Sequence, residues 1–530
     1  MSSPFNLASI FEAVVDEVPD REALVCGERR LTYAELDERA NRLASHLTAK
    51  GLGAGDWVGL DLTNGTEYLE SMLAAYKIRA VPFNINYRYT ASEIAYLLRD
   101  ANATALIHDE AFAPVADEAC AEVGSVRLRL PRGEAYESAL AKAAPGRPNV
   151  NRSGDDHYVL YTGGTTGQPK GVLWRHEDIF FGALGGGAAD GVAATSVAEV
   201  AARAKDGLRR RTLPASPFMH GTGHWMAFST FFAGGSVVVA DFAGLQPSAL
   251  WDLAVAESVT FLVIVGDAFA RPLVEELQTG SKRDLSGLSV ILSGGAILSP
   301  SVKAELSAAL PSTLIVDGFG ASETGGQGQM AAAPGDVGPP RFRVNGETTV
   351  LDDEMRPVAA GSGVVGRLAR RGRIPIGYHN DPEKTASTFP EVDGVRWAVP
   401  GDLATVDADG TIVVFGRGSV SINTGGEKVH PEEVEAVLKS HPAVFDAVVV
   451  GVSDARWGER VAAVVQVREG HAMPTVDVLA AHCGVTLAGY KAPRTLVVVD
   501  RVVRQPSGKP DYRWAKAAAE QAETEQATVG

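Results

Sequence analysis

The sequence is poor in cysteine and has no long apolar run. Its 530 residues include only three cysteines, Cys26, Cys120 and Cys483, which are odd in number and far apart. This spacing argues against a disulfide framework or a zinc site and predicts reduced, buried thiols in a cytoplasmic protein. No apolar stretch approaches the length of a membrane span, and residues 1–19 contain no basic segment. We therefore expect neither a secretion signal nor stable membrane insertion.

An excess of positive charge is also missing. The chain has 49 Lys and Arg against 65 Asp and Glu, which gives a formal net charge of −16. A protein whose main partner is nucleic acid or an anionic membrane surface usually has the opposite balance. Small anionic ligands must therefore be held by local positive sites.

The length and the order of apolar runs predict an α/β protein with at least two domains, because 530 residues exceed what one compact core usually organises. Short β-rich runs alternate with helical patterns, as at 58–62 followed by 67–73, which is typical of parallel strands. Residues 188–211 are polar and end in a basic run, so we expect a surface excursion with solvated arginines. Further strands are predicted at 104–108, 236–240, 261–265, 289–292 and 313–316.

The pattern changes after Gly401, where closely spaced turns precede a compact α+β arrangement. We place the boundary near Gly418, so that residues 1–417 form the large domain and residues 418–530 the small one. The tail after Lys516 is expected to be a short helix or disordered. In the small domain we predict helices at 431–440 and 475–483 and strands at 443–452, 460–468 and 495–499.

A segment rich in glycine and threonine predicts a phosphate-binding loop. Glycines allow successive backbone N–H groups to turn toward one anion, threonine hydroxyls add donors, and Lys170 supplies the opposing charge. It is not a Walker A loop, because Lys170 stands between Pro169 and Gly171. A flexible glycine turn is the alternative interpretation. The candidate residues are Thr162, Gly163, Gly164, Thr165, Thr166, Gly167 and Lys170.

Three later segments offer groups that complete a nucleotide site. The first combines an aromatic ring, a hydroxyl and a carboxylate suited to Mg²⁺, and it contains Gly318, Phe319, Gly320, Ser322 and Glu323. Asp402 stands beside a turn and suits the ribose hydroxyls, and Arg417 is a second candidate for the nucleotide. Lys509 follows a glycine almost at the C-terminus. Each segment alone can be an ordinary turn, but together and in this order they are highly specific.

In this order the motifs resemble those of the adenylate-forming superfamily, which includes acyl-CoA synthetases, adenylation domains and beetle luciferases. The resemblance covers nearly the whole chain and includes residues 422–428. Residues 173–180 and 216–224 are most similar to actinobacterial ligases for fatty or sterol side-chain acids. The fold class that this implies is α/β. It has a large N-terminal domain of mixed sheets and helices and a small, mobile α+β C-terminal domain.

The resemblance implies an acyl-CoA ligase that uses ATP, Mg²⁺ and coenzyme A. A carboxylate would attack the α-phosphate to give acyl-AMP and pyrophosphate, and the thiol of coenzyme A would then displace AMP. Thr165, Thr166 and Lys170 would hold the departing pyrophosphate, and Glu323 would hold the metal. Lys509 would bridge the acyl carboxylate and the α-phosphate as charge builds between them.

Other roles are implied by the same resemblance. The small domain would rotate about Ser419, where Asp or Lys is usual, and Gly426 would line the thiol tunnel. Lys428 belongs to the cofactor-binding set, and a homodimer is the family-level expectation. Ser322 stands where threonine is usual, and Phe319 where tyrosine is, so the hydroxyl and the ring are kept. The acyl pocket would be lined by His220, Gly294, Gly295 and Ala296.

Alternative functions and roles remain at this stage. His220 can instead be a packed structural histidine, and Gly221-Thr222-Gly223 argues against a helical metal pair with His224. An enzyme that passes its acyl group to a separate carrier protein is the runner-up, although no carrier domain follows Lys509. A catalytically silent nucleotide-binding regulator is disfavoured by the intact Lys170, Glu323, Asp402, Arg417 and Lys509. The acyl chain length, and the choice between a fatty and a sterol-derived acid, stay open.

Overall fold

The computed structural model describes residues 3–163, 168–187, 192–331, 341–424, 427–454, 457–505 and 508–529. Helices and strands alternate through most of the chain. The helices are α1 (Leu7–Glu17), α2 (Tyr33–Ala49), α3 (Thr66–Lys77), α4 (Ala91–Asp100), α5 (Ala113–Val123), α6 (Glu134–Lys142), α7 (His176–Ala183), α8 (Val197–Asp206), α9 (Gly221–Phe232), α10 (Pro247–Ala256), α11 (Gly266–Thr279), α12 (Pro300–Ala309), α13 (Pro382–Thr388), α14 (Pro431–Lys439), α15 (Val476–Gly484) and α16 (Tyr512–Val529).

The strands are short, and most of them join larger sheets. In the first half they are β1 (Glu22–Cys26), β2 (Arg29–Thr32), β3 (Trp57–Asp61), β4 (Val81–Asn84), β5 (Ala105–His108), β6 (Leu128–Pro131), β7 (His157–Thr162), β8 (Lys170–Arg175), β9 (Arg211–Pro214), β10 (Ser236–Val239) and β11 (Phe261–Ile264). In the second half they are β12 (Val290–Gly294), β13 (Leu314–Ala321), β14 (Gly325–Ala331), β15 (Arg341–Val344), β16 (Thr348–Leu351), β17 (Gly366–Arg370), β18 (Gly377–Tyr378), β19 (Glu391–Val392), β20 (Val395–Arg396), β21 (Asp402–Val406), β22 (Ile412–Arg417), β23 (Ile422–Thr424), β24 (Glu427–Val429), β25 (Val444–Asp454), β26 (Gly458–Val467) and β27 (Thr495–Val499).

The largest sheet has the order β16-β17-β21-β22-β15-β14-β13-β12-β11-β9-β10-β1-β2. Its stretch from β13 to β1 is parallel, and the strands on either side pair antiparallel. A second, fully parallel sheet has the order β4-β3-β5-β6. The parallel α/β architecture predicted from alternating runs is therefore confirmed, and the predicted strands of the first half fall within a residue of those observed.

Local sequence accounts for the way these elements begin. At α2, Thr32 Oγ1 accepts a hydrogen bond of 3.2 Å from the backbone N–H of Glu35, and the carboxylate of Glu35 accepts one of 2.7 Å from the N–H of Thr32. This reciprocal capping satisfies two N–H groups that the first helical turn leaves open. Residues Leu36, Ala40, Leu43 and Leu47 then follow at helical spacing and are buried in the core.

The expectation of a polar surface excursion was wrong for the described part of 188–211. Residues from Val197 to Asp206 form α8, whose buried side chains Val200, Ala201 and Ala204 lie at helical spacing. That face packs against α1. The arginines are not simply solvated either, because Arg211 pairs with Glu22 and Glu257, each at 2.5 Å. The charged residues of this helix suggested an exposed position, but three apolar residues at helical spacing bury one of its faces.

The C-terminal region forms a separate five-stranded sheet with the order β24-β23-β26-β25, in which β27 pairs with β26. All the helices and strands predicted there are confirmed within two residues. The tail is helical as α16, with Ala515 and Ala519 buried against β25 and β26. Cys120 and Cys483 are buried and Cys26 is half-buried, all three as free thiols. Among the described residues, none of the helices has the length and apolar character that crossing a membrane requires.

Candidate active site

The hairpin of β7 and β8 carries the predicted phosphate-binding loop. Thr162 ends β7 directly opposite Lys170, which begins β8. Gly163 lies just before the loop, and Gly164, Thr165, Thr166 and Gly167 lie outside the described residues. The ammonium of Lys170 forms an ion pair with Asp381, whose other oxygen accepts from the N–H of Lys384 at 2.8 Å at the start of α13. The hydrogen bond from Lys170 holds the pKa of Asp381 below its ordinary value.

Glu323 lies in the turn between β13 and β14, and its side chain is buried. The hydroxyl of Tyr378 donates a hydrogen bond of 2.9 Å to its carboxylate. Tyr378 belongs to β18, which pairs with β8 so that Tyr378 faces Val172. The segment from Tyr378 to Asp381 therefore contacts both Glu323 and Lys170. Sequence analysis missed this segment, because a two-residue strand gives no periodic signal.

The backbone around Glu323 is fixed by side chains from other elements. The indole N–H of Trp174 donates to the carbonyl of Ser322 at 3.0 Å. The buried Arg370 donates to the carbonyls of Thr324, of Gly326 at 2.8 Å and of Gly182 at 3.0 Å. These bonds connect the Glu323 turn to the β8 hairpin and to α7, which limits how far the carboxylate can move relative to Lys170.

The donor set around Glu323 suits a metal ion that arrives with phosphates. Within the described ranges no cluster of three or more His, Cys, Asp or Glu side chains is arranged to hold a metal ion. Mg²⁺ commonly binds through one or two carboxylates and completes its shell with substrate phosphates and water. The single buried carboxylate of Glu323 fits that mode.

Gly294 of the predicted acyl pocket and Gly318 of the predicted nucleotide site lie on adjacent parallel strands. Gly294 at the end of β12 is in register with Gly318 on β13, one residue before Phe319. The ring of Phe319 packs on that of Phe342 with centroids 4.9 Å apart. Gly318, Phe319 and Gly320 therefore lie in one extended segment of β13, and Ser322 follows directly after the strand ends.

The predicted pocket wall faces the start of α9. Gly295 has φ +88°, and a Cβ added there would lie 3.1 Å from Oγ1 of Thr222. Because L-residues rarely adopt that φ, Gly295 allows both the turn and the close approach. Ala296 follows Gly295 in this wall. A Cβ added to Gly266, at the start of α11, would lie 3.0 Å from the Cβ of Ala296, so the wall packs closely against that helix. His220 is the N-cap residue of α9 and so lies two residues from Thr222.

Lys509 lies close enough to His220 to act on it electrostatically. Burial, followed by the positive charge of Lys509 and then by His224 and Arg88, lowers the pKa of His220 to about 3. Nε2 of His220 is buried and has no hydrogen-bond partner among the described residues. Gly508 lies against the large domain, since a Cβ added to it would be 3.1 Å from Val265. The imidazole of His220 is therefore neutral, and Lys509, whose side chain is exposed, directly follows a residue that packs against the large domain.

The neighbouring His224 is held inside the core. Its Nδ1 lies 2.6 Å from the carbonyl of Phe218, and its Nε2 contacts the hydroxyl of Tyr158. The indole N–H of Trp225 donates to the same hydroxyl at 2.6 Å. Burial lowers the pKa of His224 to about 4. Both ring nitrogens are therefore engaged, and His224 orders the beginning of α9.

Asn84 is a second residue that sequence analysis missed. Its amide N–H groups donate to the carbonyls of Tyr161 and Met219, both at 2.9 Å, and its oxygen accepts from the N–H of Tyr161 at 2.7 Å. Asn84 therefore ties the strand before the phosphate-binding loop to the residue before His220. A single asparagine at a strand end carries no sequence signal for such a role.

Asp402 and Arg417 face each other across β21 and β22. The side chains of Arg417 and Ser419 lie outside the described part of the structure, as does the whole of Gly426. The backbone of Ser419 lies in the 3₁₀ turn Gly418–Val420 that follows β22. Lys428 lies opposite Asn423 on β24 and is exposed.

A buried carboxyl lies beside these two strands. A Cβ added at Gly416, which has φ +91°, would lie 2.2 Å from Oε1 of Glu432, and Oε2 of Glu432 is buried without a described partner. Burial, together with the nearby carboxylates Glu435 and Asp402, raises the pKa of Glu432 to about 8. Glu432 is therefore protonated in the folded protein at neutral pH.

This shift predicts a pH-dependent effect of Glu432→Gln on stability. The folded-state pKa of about 8 lies above the ordinary 4.5, so the stability contributed by Glu432 is present below about pH 4.5 and is lost as pH rises to 8. Glutamine does not ionise. We expect the variant to match the wild type at pH 4 and to exceed it by about 4 kcal/mol at pH 8. Urea unfolding at both pH values measures this, with exposed Glu391→Gln as the control, and a pH-independent difference would contradict it.

Comparison with known proteins agrees with this geometry. A family of AMP-binding enzymes matches residues 11–377, and the family of the AMP-binding enzyme C-terminal domain matches residues 433–509. The first match contains Lys170, Glu323 and His220, and the second ends at Lys509. The candidate site therefore combines residues from both matched segments.

Similar proteins cover almost the whole chain. The 3-oxocholest-4-en-26-oate–CoA ligase of Rhodococcus rhodochrous is 45% identical over 96% of this chain and 95% of its own. The medium/long-chain-fatty-acid–CoA/3-oxocholest-4-en-26-oate–CoA ligase of Mycobacterium marinum is 43% identical over 98% of both chains. Among solved structures, the anthranilate CoA ligase AuaEII in complex with anthranoyl-AMP superposes with a TM-score of 0.86 at 25% identity, covering 98% of each chain.

Proposed function

We propose that this chain, which belongs to the AMP-binding enzyme family, is an ATP-dependent acyl-CoA ligase that activates a hydrophobic carboxylic acid. The observation that carries the proposal is the packing of Gly508, which directly precedes Lys509, against Val265 of the large domain, where the positive charge of Lys509 acts on His220. Relatives that are 45% and 43% identical along nearly their whole length are acyl-CoA ligases. The fold agrees, because a structure holding an acyl adenylate superposes on the entire chain.

In the first half-reaction an oxygen of the acid attacks the α-phosphorus of ATP. The bond to the β-phosphate breaks, pyrophosphate leaves and acyl-AMP forms. Lys509 donates to both the carboxylate and the α-phosphate, where negative charge accumulates, and Lys170 with the loop residues holds the departing pyrophosphate. Glu323, oriented by Tyr378, would hold the Mg²⁺ that accompanies ATP and neutralises part of the phosphate charge. Such chemistry depends mainly on positioning and charge stabilisation.

In the second half-reaction the sulfur of coenzyme A attacks the acyl carbonyl of acyl-AMP. The bond from the acyl carbon to the AMP oxygen breaks, and the thiol proton leaves as the thioester forms. We assign Asp402 and Arg417 to the nucleotide, Gly426 and Lys428 to the coenzyme A side, and Ser419 to the hinge between residues 1–417 and 418–530. Lys509 belongs to the small domain, and rotation of that domain about Ser419 takes it away from the adenylate, so the second half-reaction proceeds without it.

The predicted pocket wall of Gly294, Gly295 and Ala296 has no polar side chain, which suits an acid with an apolar body. Thr222, Met226 and Ser229 recur at helical spacing on α9 and are partly buried, so this face of the helix combines one apolar side chain with two hydroxyls. His220 is neutral because its pKa is low, and Lys509 supplies the charge that pairs with the carboxylate. We therefore assign the substrate to the fatty or sterol side-chain acids, which the two relatives' names include.

A panel of acids tests this function. Dodecanoate, palmitate, 3-oxocholest-4-en-26-oate and benzoate are each incubated with Mg·ATP, and pyrophosphate release and thioester are measured with and without coenzyme A. We expect pyrophosphate and acyl-CoA with at least one long or sterol acid, and little with benzoate. Pyrophosphate release without thioester would favour transfer to a carrier protein. No release with any acid would favour the silent regulator.

Two further assignments follow from the sequence alone. We propose the cytoplasm as the compartment, because the three cysteines are free thiols far apart in the chain. We also keep the homodimer as a prediction from the family resemblance. Sedimentation of the purified chain measures the second directly.

A further inference from the structure

One face of α11 meets the small domain along its whole length. Asp267, Arg271 and Glu275 stand four residues apart, so their side chains lie on the same side of the helix. Asp267 pairs with Lys439 at 3.3 Å, and Glu275 pairs with Arg468 at 3.0 Å. Between these pairs, the guanidinium of Arg271 lies 5.6 Å from the ring centroid of Phe445.

The contacts of Asp267 and Arg271, which are nearer the active site than that of Glu275, are buried. Asp267 is 4% exposed, Lys439 5% and Arg271 1%. None of the three guanidinium nitrogens of Arg271 has a hydrogen-bond partner in the described structure. A buried charge is costly unless it is paired or faces an aromatic ring. The small domain therefore supplies groups that the large domain needs in this arrangement.

The contact continues through the small domain to the backbone of Lys509. Lys439 lies 3.8 Å from Asp446, which accepts two hydrogen bonds, of 2.7 and 2.8 Å, from the fork of Arg504. Arg504 also donates to the carbonyl of Gly508 at 3.1 Å. Burial alone would raise the pKa of Asp446, but Arg504 and Lys439 hold it below its ordinary value, so its carboxylate stays charged.

The large-domain end of this chain is attached to the acyl pocket. Asp267 accepts a hydrogen bond of 2.7 Å from the N–H of Ser299, and its own N–H donates to the carbonyl of Ile297 at 3.1 Å. Those residues directly follow the pocket wall at Gly294 to Ala296. Gly508 packs against Val265, two residues before Asp267. A displacement of Lys439 from Asp267 would thus move Lys509 relative to the pocket.

We propose that Lys439 and Arg504 are positioning residues. Together with Asp267 and Asp446 they form a buried chain of alternating charges that fixes Lys509 beside His220 for acyl-AMP formation. This role rests on the proposed ligase function. It gives no advantage to the second half-reaction, in which Lys509 does not take part. Arg504 binds both carboxylate oxygens of Asp446, and this bidentate geometry fixes the orientation of the turn that carries Lys509 as well as pairing the two charges.

Separate assays of the two half-reactions test this role. In Lys439→Met we expect acyl-AMP formation to slow by about 10- to 100-fold, because a small displacement of a catalytic group has effects of that size. Thioester formation from supplied acyl-AMP and coenzyme A should be unchanged. Lys439→Arg, which keeps the charge, should recover most of the rate. The matched control is Lys491→Met, since Lys491 pairs at 2.6 Å with Glu433 inside the small domain, and both rates should stay normal.

A double-mutant cycle across the two domains completes the test. Asp267→Asn leaves the small domain intact, so it tests the role even if Lys439→Met fails to fold. We expect it to slow acyl-AMP formation similarly, and adding Lys439→Met to it should cause little further loss. The role would be overturned if a variant slowed both half-reactions equally or slowed neither of them. It would also be overturned if the rate loss in the double variant equalled the product of the two single losses. A wild type that makes no acyl-AMP with any acid would instead contradict the ligase function itself.

Discussion

Lys509→Ala slows acyl-AMP formation by about 10²–10³-fold, equivalent to roughly 3–4 kcal/mol of transition-state stabilisation. This is the expected result, because negative charge accumulates between the acyl carboxylate and the α-phosphate as they react. Lys509 directly follows Gly508, which packs against Val265 of the large domain, and its positive charge contributes to lowering the pKa of His220. Single-turnover formation of acyl-AMP, without coenzyme A, measures the loss.

The same variant should retain the second half-reaction. Thioester formation from supplied acyl-AMP and coenzyme A is expected to proceed at the wild-type rate, because the small domain that carries Lys509 rotates away from the adenylate before that step. Lys516→Ala is the control, since Lys516 lies nearby on α16 and is half exposed. An unchanged rate of acyl-AMP formation in Lys509→Ala would show that Lys509 does not act in the first step.

Lys77→Met is expected to destabilise the large domain by about 3–5 kcal/mol. Lys77 is fully buried, and its ammonium contacts Glu12 at 2.5 Å and Asp37 at 2.6 Å. Removing the ammonium leaves two carboxylates inside the core. Burial opposes ionisation of Asp37, yet Lys77 and Arg147 hold its pKa below the ordinary value, so its charge depends on these partners.

Urea unfolding of the wild type and Lys77→Met measures this effect. Lys205→Met is the matched control, because Lys205 pairs with Glu17 at 3.0 Å on the surface, where we expect no measurable change. If Lys77→Met unfolds at the wild-type urea concentration, the buried cluster does not hold α1, α2 and α3 together as the distances indicate.

Lys77 also shows where sequence patterns stop being informative. It ends a helix whose preceding residues, from Tyr68 to Tyr76, are all buried, and its two partners lie 65 and 40 residues away. An apolar helix that ends in lysine normally predicts an exposed end. Only tertiary packing encloses that end, so the sequence gives no sign of the cluster. The same is true of Arg211 and α8, where the charges suggested a solvated surface.

The fold was largely predictable because it depends on local periodicity. Alternating strands and helices identified the parallel sheets, and the small domain's pattern identified its elements from α14 to β27 but not the short strands β23 and β24. Lys170, Glu323 and Lys509 were proposed as site residues, because each lies in a short contiguous motif. Tyr378, Asp381 and Asn84 were not, since their roles arise from hydrogen bonds and an ion pair to residues far along the chain. The charge chain from Asp267 to Arg504 is of the same kind.

The central claim is that this chain activates a hydrophobic acid as its adenylate. Exchange of labelled pyrophosphate into ATP, without coenzyme A, tests it most directly, because exchange requires reversible formation of acyl-AMP on the enzyme. We predict Mg²⁺-dependent exchange with palmitate or 3-oxocholest-4-en-26-oate for the wild type, and its loss in Lys509→Ala. Absence of exchange with every fatty and sterol acid, from a folded wild-type protein, would contradict the account.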